Sequence, residues 1–173
     1  MKNTYQIVII GLLSAIVFAL QVALASLPNV ELVTLLLLVY SLTLPLFSSI
    51  LISIIFTTLE MLIWGFGDWV VGYFWIWPLW NIVAYFLKPI IKENLYYWAI
   101  ISGLWGAIFG GLFAINHGIF YGFSYSLAYW LRGIPFDIIH AISNYVITLI
   151  LFVPTLKVVK QLLKKYFVIK ENF

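Results

Sequence analysis

Asp137, His140 and Asn144 stand three and seven residues apart in "RGIPFDIIHAISNYV", a spacing that puts all three on one helical face. The stretch that follows is apolar, and a charge in hydrocarbon costs about 2.5–3.5 kcal/mol even on a lenient insertion scale. Such side chains in a membrane helix face a partner or a water-filled cavity. Asp137 and His140 have the chemistry of an orienting acid and a base, and Ser143 is close by in sequence. Successive helix positions point about 100° apart, so Ser143 is turned away from its neighbour Asn144 and is not expected to complete a triad with His140. No HExxH, GxSxG or P-loop motif occurs, and no Cys/His metal set. The residues predict binding rather than catalysis, with no metal site and no ATPase of the chain's own.

The elements that position these groups must be membrane helices. The 173 residues are 65% hydrophobic, 19% aromatic and 9% charged, against roughly 25% charged in soluble domains. So little polar surface cannot cover a soluble fold. The expectation is an all-α integral membrane protein, one domain over 1–173, multi-pass in the cell membrane. The absence of cysteine excludes disulfides and thiol chemistry. A net charge of +3 does not point to nucleic acid, because the basic residues sit between hydrophobic runs rather than in a soluble patch.

Six apolar runs are long enough to be read as spans, at about 6–26, 30–44, 47–65, 70–87, 95–115 and 135–155. Ala23-Leu24-Ala25 has the look of a signal-peptidase site, but the run before it is longer than a signal h-region and is read as the first span. Six spans place both termini on one side. Lys2, Lys88, Lys92, Lys157, Lys160, Lys164, Lys165 and Lys170 fall on that side and Arg132 on the other, so both termini are expected in the cytoplasm.

With that orientation, Glu31, Glu60, Asp68, Asn81, Asn116, His117, Arg132, Asp137, His140 and Asn144 fall in the outer half. Their convergence predicts an outward-facing pocket, with Glu60 as its most structural member. "GFGDWVVGYFWIWPLWN" adds Trp69, Tyr73, Phe74, Trp75, Trp77 and Trp80, an aromatic belt in part and a pocket lining in part. "NHGIFYGFSYSLAYWLRG", rich in Gly, Tyr and Ser, predicts a long outer segment between the last two spans, either an interfacial helix or a loop serving as a lid. Small residues recur every four positions in Gly11-Ala15-Ala19-Ala23, Gly103-Ala107-Gly111 and Gly106-Gly110-Ala114. Such ridges allow close helix approach, and three of them predict that at least one faces a separate subunit.

Three stretches carry a family likeness: "LPNVELVTLLLLVYSL", "WGFGDWVVGYFWIWPLWN" and "YWLRGIPFDIIHAISNYVITLILFVPTLKVV". Over nearly its whole length the chain resembles the substrate-binding S components of energy-coupling factor (ECF) vitamin transporters of Gram-positive bacteria. The resemblance implies capture of a vitamin or cofactor precursor outside the cell and delivery through a transmembrane T component and two ATPase subunits. ATP is then used by those partners, and this chain holds no cofactor. The family's AxxxA contact maps onto Ala15 and Ala19, continued by Gly11 and Ala23. Family binding regions correspond here to Glu31, Asp68, Trp80, Asn81, Asn116, His117, Arg132, Asp137, His140 and Asn144.

Nickel and cobalt members use histidine near the N-terminus, and "MKNTYQ" has none. The acidic excess over Arg132 disfavours dianions such as folate. A neutral or cationic ring follows, of thiamine-pyrimidine, pyridoxine or corrinoid type. The alternatives are a self-sufficient proton-coupled carrier using Asp137, His140 and Glu60, and more remotely an intramembrane enzyme.

Overall fold

The computed structural model of the chain describes residues 2–167 and, within them, the side chains of residues 4–164. Six helices make up these residues: α1 (Lys2–Leu24), α2 (Val33–Thr43), α3 (Leu46–Trp64), α4 (Asp68–Ile91), α5 (Leu95–Tyr121) and α6 (Phe123–Phe167). All except α2 are long and apolar enough to cross a membrane, as a multi-pass membrane protein requires. Their outward faces carry residues such as Ile7, Leu62, Phe86, Ile119 and Ile150, all well exposed. The interior holds a continuous core into which Tyr40, Phe56, Trp77, Trp80, Trp98 and Phe152 are fully buried.

The short α2 is the hub of the bundle. Its 11 residues span about 16 Å at 1.5 Å per residue, roughly half of a 30 Å hydrocarbon core. Every residue from Val33 to Leu42 is buried. A helix that is apolar all round is stable only when wrapped by others, and α1, α3, α4 and α6 supply the wrapping. Pro45 starts α3 immediately afterwards, with φ −58° and no amide hydrogen to satisfy.

Helices α5 and α6 form a tight antiparallel hairpin, and the segment predicted as an outer helix or loop is its tip. Residues 116–134 are helical except for Gly122, which turns the chain with φ +82°. That angle is steeply unfavourable for any residue with a Cβ, so one glycine suffices in place of a loop. Apart from Gly122, the glycines and serines that suggested a loop do not break the helix, and neither do Pro135 and Pro154, through which α6 runs 45 residues. Membrane helices tolerate proline because neighbouring groups re-satisfy the freed backbone. At about 67 Å, α6 is more than twice the thickness of the hydrocarbon core.

Glycines on α5 set how close the hairpin packs. A Cβ at Gly106 would lie 2.7 Å from the His140 carbonyl, and one at Gly103 3.2 Å from the Ala141 oxygen. The α5 small-residue rows therefore serve largely within the chain. The α1 ridge does not. Ile10, Leu13, Ser14 and Val17 turn inward, whereas Gly11, Ala15, Ala19 and Ala23 are exposed, and nothing lies within 4 Å of a Cβ built at Gly11.

Side-chain contacts identify the two ends of the bundle. Lys160 pairs with Glu93, bringing the far part of α6 to the α4–α5 turn, where Lys88 and Lys92 also lie. At the other end Asn116 Nδ2 donates to the Asp68 carbonyl at 3.0 Å, joining the tip of α5 to the start of α4. Of the remaining lysines used for orientation, Lys170 lies outside the described residues, and Lys2 and Lys165 outside those with described side chains.

Because the His140 backbone leaves no room for a methyl at Gly106, Gly106→Ala is expected to push the hairpin apart and cost about 1–3 kcal/mol. Thermal unfolding of the detergent-solubilised protein would read this as a lowered Tm. An unchanged Tm would show that the hairpin has slack.

Candidate functional site

Five of the sequence-predicted polar residues meet at α2. Glu31, one residue ahead of the N-cap Leu32, accepts the Thr34 amide at 2.8 Å through Oε2. A carboxylate there also complements the positive end of the helix dipole. Its Oε1 contacts His140 Nε2 at 3.2 Å, both side chains being nearly inaccessible. Trp80 Nε1 donates to the Thr34 carbonyl at 2.9 Å, and Asn144 Nδ2 to Thr34 Oγ1 at 3.1 Å. Asn81 Nδ2 donates to Ser41 Oγ at 2.9 Å. These bonds fasten α4 and α6 to the buried helix. Ser143 belongs to the same set, because its Oγ donates to the Asn29 carbonyl at 2.7 Å and is thereby committed to the backbone.

A second group closes the lysine-poor end. Asp68 Oδ2 lies 3.1 Å from His117 Nδ1. That nitrogen makes no aligned hydrogen bond, so the two groups lie close without a directional bond between them. Asn116, beside His117, also takes the Trp75 indole N–H at 3.4 Å. Glu60 stays apart: it is buried on α3 with Oε1 unpartnered, while His140 is held by Glu31.

Between these groups lies a cavity of about 630 Å³ at the lysine-poor end, within the 300–1,000 Å³ usual for small-molecule sites. Of the ten binding residues expected from sequence, Arg132 and Asp137 line it. The other eight are in the pairings just described. Most of the wall is aromatic and comes from rings four residues apart on three helices. Trp69 and Tyr73 on α4 meet edge-on with centroids 5.4 Å apart. Phe109 and Phe113 on α5 are 5.3 Å apart, and Tyr73 crosses to Phe113 at 5.7 Å. Tyr125 and Tyr129 on α6 complete the ring, with Tyr129 4.3 Å from His117. The side chains of Trp77 and Trp80 are instead buried in the core, Trp80 tilted against Trp105 at 4.9 Å.

Asp137 is the acidic part of this wall. It is buried, its Oδ1 accepts the Gly110 amide at 2.9 Å, and its Oδ2 has no partner in the protein. Phe109 stands between the cavity and the deeper polar set, its ring edge-on to His140 at 4.8 Å. Among the described residues no group of three histidine, aspartate or glutamate side chains is placed to hold a metal ion.

Set beside known proteins, the chain finds no match. No family model fits it, and neither a curated protein nor a solved structure aligns with it significantly.

The aromatic pairs had a sequence signal that polar residues overshadowed: Trp69/Tyr73, Phe109/Phe113 and Tyr125/Tyr129 all repeat at four, the spacing of neighbours on one helical face. Gly110, which also lines the cavity, was marked only as part of a close-approach row, and Asn29 had no signal.

The Glu31–His140 contact is expected to be energetically coupled because both groups are buried. A double-mutant cycle with Glu31→Gln and His140→Gln should give an interaction of about 0.5–3 kcal/mol in unfolding experiments. Additive effects would mean that each residue is held by its other neighbours alone.

Proposed function

We propose that the chain is the substrate-capturing S subunit of an ATP-driven ECF-type importer in the cell membrane, with its lysine-poor end facing outward. The observation that carries this reading is the aromatic cavity at that end, walled by the α5–α6 hairpin and by Trp69 and Tyr73 of α4. Its volume suits one ring-containing small molecule of vitamin or precursor size. Flat aromatic faces supply contact area with little loss of side-chain freedom, and a few polar groups orient the ligand.

The α1 ridge supports the second half of the reading. Gly11, Ala15, Ala19 and Ala23 form a smooth, exposed strip outside the chain's own packing. In lipid, close backbone approach across such a strip drives association by dispersion. A transmembrane T component would seat there, bringing two ATPase subunits that hydrolyse ATP. The cavity and the strip lie on separate parts of the fold, so binding and energisation are separable by mutation.

Ala19→Trp is expected to abolish uptake by whole cells carrying the complete transporter while the purified subunit binds its ligand as before. Loss of binding together with uptake would remove α1 as the docking surface. Liposomes containing this protein alone should take up nothing. Uptake by them would instead establish a self-sufficient carrier, with the buried Glu31–His140 pair as the place to look for proton coupling.

A further inference from the structure

We propose that the cavity selects an organic cation, holding its charged group among the ring faces while the Asp137 carboxylate supplies the countercharge. This rests on the cavity being a ligand site and specifies the charge of what it takes.

The aromatic wall and the acid point the same way. Ring faces are the negative side of an aromatic quadrupole, so a cation is attracted where rings surround it. Tyr73 is packed by Trp69, Trp77, Phe109 and Phe113 with centroids 5.4 to 6.5 Å away, which fixes the wall rigidly. Asp137 is built into that wall by Gly110. The Gly110 amide takes Oδ1, and a Cβ at position 110 would overlap both carboxylate oxygens. Only glycine lets α5 come so close to the acid. Oδ2 keeps its acceptor capacity inside a buried site, and a buried carboxylate without a counterion is costly.

The other charges around the cavity do not reverse this balance. His140 faces Glu31 and His117 faces Asp68, so each imidazole has its own carboxylate. Tyr129 lies within electrostatic reach of both Asp137 and Asp68, and Tyr73 within reach of Glu60 and Glu31. Arg132 is the cation of the wall, and it is exposed. Water screens an exposed guanidinium far more than it screens a buried carboxylate. An anion here would sit over negative ring faces beside a buried like charge.

The test uses three probes of nearly one shape and different charge: 1-methylnicotinamide (cation), nicotinamide (neutral) and nicotinate (anion). Each is titrated against the purified full chain in nanodiscs, reading tryptophan fluorescence, with Trp69→Phe marking the signal that arises in the cavity. The cation should bind at least tenfold more tightly than nicotinamide, and nicotinate should not compete. Asp137→Asn should erase the difference between cation and neutral probe, and Tyr129→Leu should weaken the cation selectively should the Asn variant fail to fold. Equal binding of nicotinamide, competition by nicotinate, or no binding of the cation at millimolar concentration would overturn the proposal. So would an uncharged or anionic molecule co-purifying in the cavity by native mass spectrometry. These outcomes are separate from the importer reading, which the liposome and Ala19→Trp uptake measurements decide.

Discussion

A short helix with no face toward lipid has to be held by its neighbours, and that requirement organises the bundle. Lipid tails are as apolar as leucine, so burying α2 gains little from the hydrophobic effect. Dispersion packing around Leu37, Leu38 and Val39 does part of the work. Directional bonds to Thr34, Ser41 and the Glu31 cap do the rest, and they come from Trp80, Asn81, His140 and Asn144 on two enclosing helices. Each partner is buried, so breaking one bond strands a polar group where water does not replace it.

That arrangement explains why polar side chains cluster in one half of the chain's helices without all lining one cavity. Asn144 and His140 share a face with Asp137, as their spacing requires. The face descends along α6, however. At its upper end Asp137 reaches the cavity wall, and below it His140 and Asn144 meet α2. One helical stripe thus joins a ligand-sized space to the fastening of the hub. A ligand pressing on Phe109 would press on His140 behind it, since the two rings are in edge contact.

The α5–α6 hairpin supplies the other half of the site. Its closeness depends on Gly103, Gly106 and Gly110 meeting the α6 backbone and Asp137. Its height above the cavity depends on a single residue, Gly122, in place of a loop. Because the tip is helical, Tyr125 and Tyr129 are held in register with Phe109, Phe113 and His117 instead of moving as a flexible flap.

Composition and run length alone determined that the chain is helical and bound for a membrane: a soluble fold cannot hide so much apolar surface, and of the two structures that satisfy their backbone in lipid only the helix uses apolar runs of about twenty residues. Spacing alone put Asp137, His140 and Asn144 on one face, and residue size alone marked the ridge on α1. Of the two readings of 116–134, the helix holds and the loop does not, because local glycine and serine signals carry no information about a neighbouring helix that tolerates them. Only tertiary structure decided which polar groups pair with one another and which meet a cavity. Trp80 and Asn81 go to α2, and Asp137 goes to the wall, because partners from distant parts of the chain fix each side chain's environment. The sequence names those groups; the distances between helices decide their company.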